Sequence, residues 1–123
     1  MIVAIDGLAG SGKSSTAKLV ADKLGLSYFT TGKMYRAITR YAIVNDLIEN
    51  LPLSIENVID KINISVKGKN FNQIIINNVD YSDDLYSEKI NQYISIISSL
   101  LSVRLKMVKI QREVAKGNNI VCE

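Results

Sequence analysis

A chain of 123 residues is enough for one domain with one core. Charged residues make up 22% and hydrophobic residues 47%, and fifteen basic against twelve acidic side chains leave a net charge of +3 with no block of like charge, which argues against a nucleic-acid arm or a membrane-surface stretch. No apolar run approaches the roughly 18 residues that span a bilayer, the N-terminus lacks a signal-peptide layout, and the lone Cys122 belongs to no disulfide or metal-ligand cluster, so a cytoplasmic protein is expected.

Ile2-Val3-Ala4-Ile5 is a continuous apolar run, the pattern of a strand buried on both faces of a parallel sheet. It stops at Asp6-Gly7, and a glycine-rich loop runs to Gly12. Beyond Lys13, the residues Ala17, Val20, Ala21 and Leu24 recur at the spacing of one helix face, with Gly25 as a C-terminal cap. Ser27 to Phe29 reads as a second strand. After a turn at Thr31-Gly32, a second helix presents Met34, Ala37, Ile38, Tyr41 and Ala42. Leu51-Pro52 breaks the chain, and Ser54 is placed to cap a third helix with the stripe Ile55, Val58, Ile59 and Ile62.

The pattern then changes. Ile64 and Val66 alternate with polar neighbours, Lys67 to Asn70 reads as a turn, and Phe71 to Ile76 as a returning strand. After a polar stretch at Asp80 to Asp84, Ile90, Ile94, Ile97 and Leu101 form one helical stripe. Val103, Met107, Ile110 and Val114 form another, closed by Gly117, and Ile120-Val121-Cys122 resembles a buried strand. The expected fold is α/β: a parallel sheet with helices on both faces and a small insert containing a β-hairpin.

Gly7-Leu8-Ala9-Gly10-Ser11-Gly12-Lys13-Ser14 matches G-x-x-x-x-G-K-[ST], the P-loop pattern, between a strand and an amphipathic helix. Glycines let the backbone amides wrap phosphate oxygens without side chains intervening, and the helix N-terminus adds positive potential. Residues Gly7 to Ser15 are therefore candidates for the phosphates of ATP, with Lys13 as a point charge on the β- and γ-phosphates and the Ser14 hydroxyl as a ligand of Mg²⁺.

The next motif narrows the reading. Thr30-Thr31-Gly32-Lys33-Met34-Tyr35-Arg36 resembles the Asp-[Ser/Thr]-Gly-x-[Met/Ile]-Tyr-Arg signature of bacterial cytidylate kinases, and Ile-Asp-Gly-x-Ala-Gly-Ser-Gly-Lys-Ser is similar to that family's own P-loop. Val79-Asp80-Tyr81-Ser82, Ser102-Val103-Arg104 and Gln111-Arg112 extend the resemblance along essentially the whole chain. It implies a P-loop nucleoside monophosphate kinase-like fold and ATP-dependent phosphorylation of CMP and dCMP. Arg36 would clamp the acceptor phosphate and, with Lys13, act in catalysis. Tyr35 would pack near the nucleotide, and the Thr31 hydroxyl would bond close to its phosphate or base. Ser95 and Arg104 would read the cytosine edge, and Glu123 would hold Mg²⁺-bound water across from Ser14.

By the same resemblance, residues 1–62 are the N-terminal part of the kinase core, 63–102 the monophosphate-binding insert, and 103–123 a return helix and core strand. The implied protein is a monomer when complete, acting on small molecules without nucleic-acid or membrane partners. Thr30 stands where the family usually has Asp, and Tyr86 where it commonly has Arg. The chain is read as the N-terminal part only, because the family's Gly-Arg-Asp segment and arginine-bearing lid do not follow Glu123; kinase activity of these residues alone is expected to be low. A non-catalytic nucleotide-binding remnant, or another small-substrate P-loop kinase such as an adenylate or shikimate kinase, is the alternative.

Overall fold

The computed structural model describes residues 2–4, 13–116 and 118–122, with Lys13 and Ser14 described by their backbone alone. In chain order the elements are β1 (Ile2–Ala4), α1 (Lys13–Leu24), β2 (Ser27–Phe29), α2 (Thr31–Val44), α3 (Leu53–Val58), β3 (Ile64–Lys67), β4 (Gln73–Ile76), β5 (Val79–Asp80), α4 (Glu88–Ser99), α5 (Leu101–Ala115) and β6 (Ile120–Cys122).

The strand nearest the C-terminus lies in the middle of the first sheet. β6 pairs in parallel with β1, in the register Ile2↔Ile120 to Ala4↔Cys122, and with β2, in the register Ser27↔Ile120 to Phe29↔Cys122. Alternation along these strands assigns each side chain to a face. Val121, Tyr28 and Val3 meet Ala17 and Ala21 of α1, whose short side chains allow close helix–sheet approach. Ile120, Phe29 and Cys122 turn the other way, onto the cluster formed with Met34, Ala37 and Ile38 of α2 and with Val103, Met107, Ile110 and Val114 of α5. Helices thus cover both faces, as an α/β parallel sheet requires.

The second sheet is antiparallel, in the order β3-β4-β5. Its register, Ile64↔Ile76 and Val66↔Ile74, puts Ile64, Ile74 and Ile76 on one buried face. That face joins the larger core cluster with Ile55 and Ile59, so a continuous apolar interior runs from the parallel sheet into the hairpin. Burying each such isoleucine contributes about 1.5–3 kcal/mol.

Helix ends follow their local signals where a tertiary contact does not override them. Gly25, at φ +67°, ends α1 as the spacing requires, and the Leu26 amide reaches back to the Ala21 carbonyl at 2.9 Å. Ser87 caps α4, its hydroxyl accepting from the Ile90 amide at 3.3 Å. Ser54 does not cap: α3 starts one residue earlier, after Pro52, and the Ser54 hydroxyl donates to the Leu47 carbonyl. Thr31-Gly32 is no separate turn but the first turn of α2, because Thr30 is its cap.

Other expectations are corrected by packing. Leu24 is 54% exposed, since it is the last residue of α1 and the chain turns away at Gly25. Leu101 is 70% exposed: the extended Leu100 separates α4 from α5 and breaks the phase of the stripe from Ile90. Ile2 and Ala4 are exposed because, among the described residues, β1 pairs on one side alone. Phe71 and Asn72 belong to the connection before β4, where Lys69–Phe71 forms a 3-10 turn.

β5 is a strand the polar composition hides. Asn77 and Asn78, at φ 50° and 67°, form the two-residue left-handed turn that suits a hairpin, and they return the chain onto β4. The Ser82 hydroxyl and amide then bond to Asp80 and hold its carboxyl below the usual carboxylate range. The capping role read for Gly117 lies outside the described residues.

Candidate functional site

All three strands of the parallel sheet point their carboxyl ends the same way, and ligands of open α/β sheets bind in crevices along that edge. Here the edge at β2 opens into a cavity of about 620 Å³. Its floor comes from Tyr28 and Phe29 of β2, Thr30, and Gly32, Lys33 and Met34 in the first turn of α2. Thr30 is extended, at φ −126° and ψ 132°, and its hydroxyl accepts from the Gly32 amide at 3.3 Å. Threonine thus keeps the cap that an aspartate would make there, without the negative charge.

The opposite wall comes from the hairpin. Lys69, Asn70, Phe71 and Asn72 line it, and two contacts fasten this turn to β2. The Asn70 side-chain carbonyl accepts from the Tyr28 amide at 2.9 Å, and Phe71 meets Phe29 edge to face at 5.5 Å. Asn70 and Phe71 both adopt positive φ, 55° and 53°, a strain of the kind that persists where surrounding contacts over-determine a site.

Lys18, Lys33, Arg36 and Lys69 line the cavity, and no carboxylate does among the described lining residues. Four cations around aromatic rings suit an anion that carries an apolar or aromatic body. Lys18 also lies over the Tyr28 ring at 5.7 Å.

Arg36 is the most constrained of the four. Its Nη1 donates to the Leu85 carbonyl at 3.0 Å and to the Asn91 side-chain oxygen at 2.8 Å. The Tyr86 ring, another wall of the cavity, lies 4.4 Å from its Cζ. One turn of α2 therefore bridges to the loop before α4 and to α4 itself.

The other sequence candidates separate into groups. Tyr35 is half-buried and lies beside Arg104; burial pushes its hydroxyl above the usual tyrosine value, against the opposing pull of the nearby Arg104 guanidinium. Arg104 is otherwise exposed on α5. Ser95, exposed on α4, stands four residues beyond Asn91 and shares its side of the helix. Thr31, Tyr35, Ser95 and Arg104 are not among the residues lining the cavity with Arg36. Ser15 is exposed on α1, Lys13 and Ser14 open that helix, and Gly7, Leu8, Ala9, Gly10, Ser11, Gly12 and Glu123 lie outside the described residues.

Lys18, Lys69, Phe71 and Asn91 were not legible as site residues. Lys33 had a signal, since it occupies the open position of Thr-Gly-x-Met-Tyr-Arg. Among the described residues no group of three or more His, Cys, Asp or Glu is placed to hold a metal. No described helix is long and apolar enough to cross a membrane.

The profile of the family described as Cytidylate kinase matches residues 3–123. A cytidylate kinase of Fusobacterium nucleatum subsp. nucleatum is 38% identical over 123 residues, covering 100% of this chain and 55% of the relative. One from Halalkalibacterium halodurans is 39% identical over 124 residues, covering 100% and 56%. One from Lactobacillus johnsonii is 40% identical over 124 residues, covering 100% and 54%. The chain spans about half the length of these curated relatives. A match that runs from β1 through both sheets to β6 carries more than a shared phosphate loop could, and the chain belongs to the cytidylate kinase family.

Proposed function

We propose that the protein carrying this chain transfers the γ-phosphoryl group of ATP to CMP and dCMP, and that the cavity beside Arg36 receives the acceptor. The observation that carries this reading is the set Lys18, Lys33, Arg36 and Lys69 around an aromatic-walled cavity at the end of β2, with no carboxylate among its described lining residues. A monophosphate is the dianion such a wall attracts, and the planar Arg36 fork suits two of its oxygens. An acceptor phosphate oxygen forms the new bond to the γ-phosphorus as the bond to the β-phosphate oxygen breaks, giving the nucleoside diphosphate and ADP.

Gly7 to Ser15 hold the donor phosphates in this reading, with Lys13 against the β- and γ-oxygens. The Ser14 hydroxyl is a hard oxygen donor that fits Mg²⁺, an ion that takes few protein ligands and keeps several waters, and the Glu123 carboxylate would hold one of those waters across from Ser14. Mg²⁺ supplies neutralisation of charge on the donor phosphates when bound. Thr31 and Tyr35 flank the acceptor, while Ser95 and Arg104 select cytosine. Residues 63–102 act as the acceptor-binding insert, in a monomeric cytoplasmic enzyme.

The test is phosphorylation of CMP, dCMP, UMP, AMP and GMP by the purified protein, followed by coupled ADP release. Preference for CMP and dCMP is the expected result; equal rates with AMP would overturn the reading. Calorimetry supplies a second arm. Lys13→Ala should weaken Mg-ATP binding by roughly 10-fold or more, as loss of a charge-assisted contact implies, and unchanged affinity in a folded variant would remove the donor-site assignment.

A further inference from the structure

We infer that Tyr86 and Asn91 are positioning residues that aim the Arg36 guanidinium at the acceptor phosphate. The inference rests on the acceptor-site reading above and adds to it a device that the phosphate-loop and Tyr-Arg motifs do not contain. An arginine has a long, flexible side chain, and fixing it before ligand arrives removes part of the ordering cost of binding. Here the group is fixed by two kinds of contact. In its plane, Nη1 donates to the Leu85 carbonyl at 3.0 Å and to Asn91 Oδ1 at 2.8 Å. Cζ itself lies over the Tyr86 ring, 4.4 Å from its centroid. Among the described residues these hydrogen bonds occupy Nη1 alone, so Nη2 and Nε remain as donors for a ligand.

The choice of partners matters as much as their number. The Leu85 carbonyl, the Asn91 amide and the Tyr86 ring are all uncharged, so they orient the guanidinium without neutralising it. A carboxylate in their place would hold the arginine as firmly and cancel the charge that an incoming phosphate needs. Tyr86 is 66% exposed, a large aromatic side chain on the surface, and both it and Arg36 line the cavity. Its exposure is accounted for by the stack on Arg36 and the cavity it walls.

The experiment measures CMP binding by calorimetry for the unsubstituted protein, Arg36→Met, Tyr86→Ala, Tyr86→Phe, Asn91→Leu and the double variant Arg36→Met/Tyr86→Ala. Tyr86→Ala and Asn91→Leu should each weaken CMP about 10-fold, the scale at which misplaced binding groups lose affinity, whereas Tyr86→Phe should retain it. Tyr86→Ala should add nothing once Arg36 is gone, because a positioning residue acts through its partner. The Arg36 Nε–Hε resonance should also move in Tyr86→Ala without ligand, as the ring's shielding is lost. Normal CMP affinity in both Tyr86→Ala and Asn91→Leu, with Arg36→Met weakened, overturns this inference and leaves the acceptor site standing. Normal affinity in Arg36→Met, or no CMP binding at all, overturns the acceptor site and this inference together. If Tyr86→Ala loses its fold, the exposed Asn91→Leu and the conservative Tyr86→Phe decide the matter.

Discussion

Arg36 on α2 and Arg104 on α5 invite opposite tests. Arg36 lines the cavity, whereas Arg104 contacts Tyr35 from α5. Arg36→Met should therefore lower kcat/KM for every monophosphate, by roughly 10²-fold if it holds phosphate through charge-assisted bonds. Arg104→Met should instead erode the ratio of CMP to UMP turnover. An unchanged ratio in a steady-state assay would show that the base is read elsewhere. Tyr35 adds a pH signature. Because burial raises its folded value above the ordinary 10.0, its share of stability is fully present below pH 10.0 and is lost as pH rises through that raised value. Urea melts of Tyr35→Phe should show a flatter decline on this alkaline limb, and identical slopes would argue that Tyr35 ionises as freely folded as unfolded.

Among the elements, α5 carries the residue least matched to its surroundings. The Ser102 hydroxyl is buried and has no hydrogen-bond partner among the described residues. A buried hydroxyl left unpaired costs free energy that its removal restores, and alanine is the better helix former. Ser102→Ala should raise the folding stability by about 1 kcal/mol, read as a higher urea midpoint at constant m-value. Destabilisation would mean that the hydroxyl has a partner after all. The hairpin illustrates the opposite case, in which every local choice agrees. Asn77-Asn78 supplies the turn, and the isoleucines at 64, 74 and 76 supply one buried face.

At the scale of the whole molecule, the apolar interior crosses the proposed boundary between kinase core and insert. Ile38 of α2, Ile76 of β4, Ile97 of α4 and Met107 of α5 belong to one cluster. Unfolding should accordingly be a single transition, with circular dichroism and tyrosine fluorescence coincident. Ile76→Ala and Ile38→Ala should each cost about 2–5 kcal/mol, although one lies in the hairpin and the other beside the parallel sheet. Two separate transitions, with Ile76→Ala shifting one of them alone, would establish the insert as an independent unit.

What the sequence determined by itself were features whose signals are local. The phosphate-loop motif, the Thr-Gly-x-Met-Tyr-Arg run, the Gly25 cap and the α5 stripe from Val103 to Val114 each depend on residues within a few turns of one another. Periodicity and turn chemistry report such features directly. The central position of β6, the cation wall around the cavity and the brace on Arg36 depended on the tertiary structure. β6 joins strands that begin about a hundred positions before it, and the bond from Arg36 to Asn91 spans 55 positions. Lys18, Lys33 and Lys69 come from two helices and a hairpin turn. No window of sequence contains these partners together, and only closure of the chain around its isoleucine core brings them to one edge of the sheet.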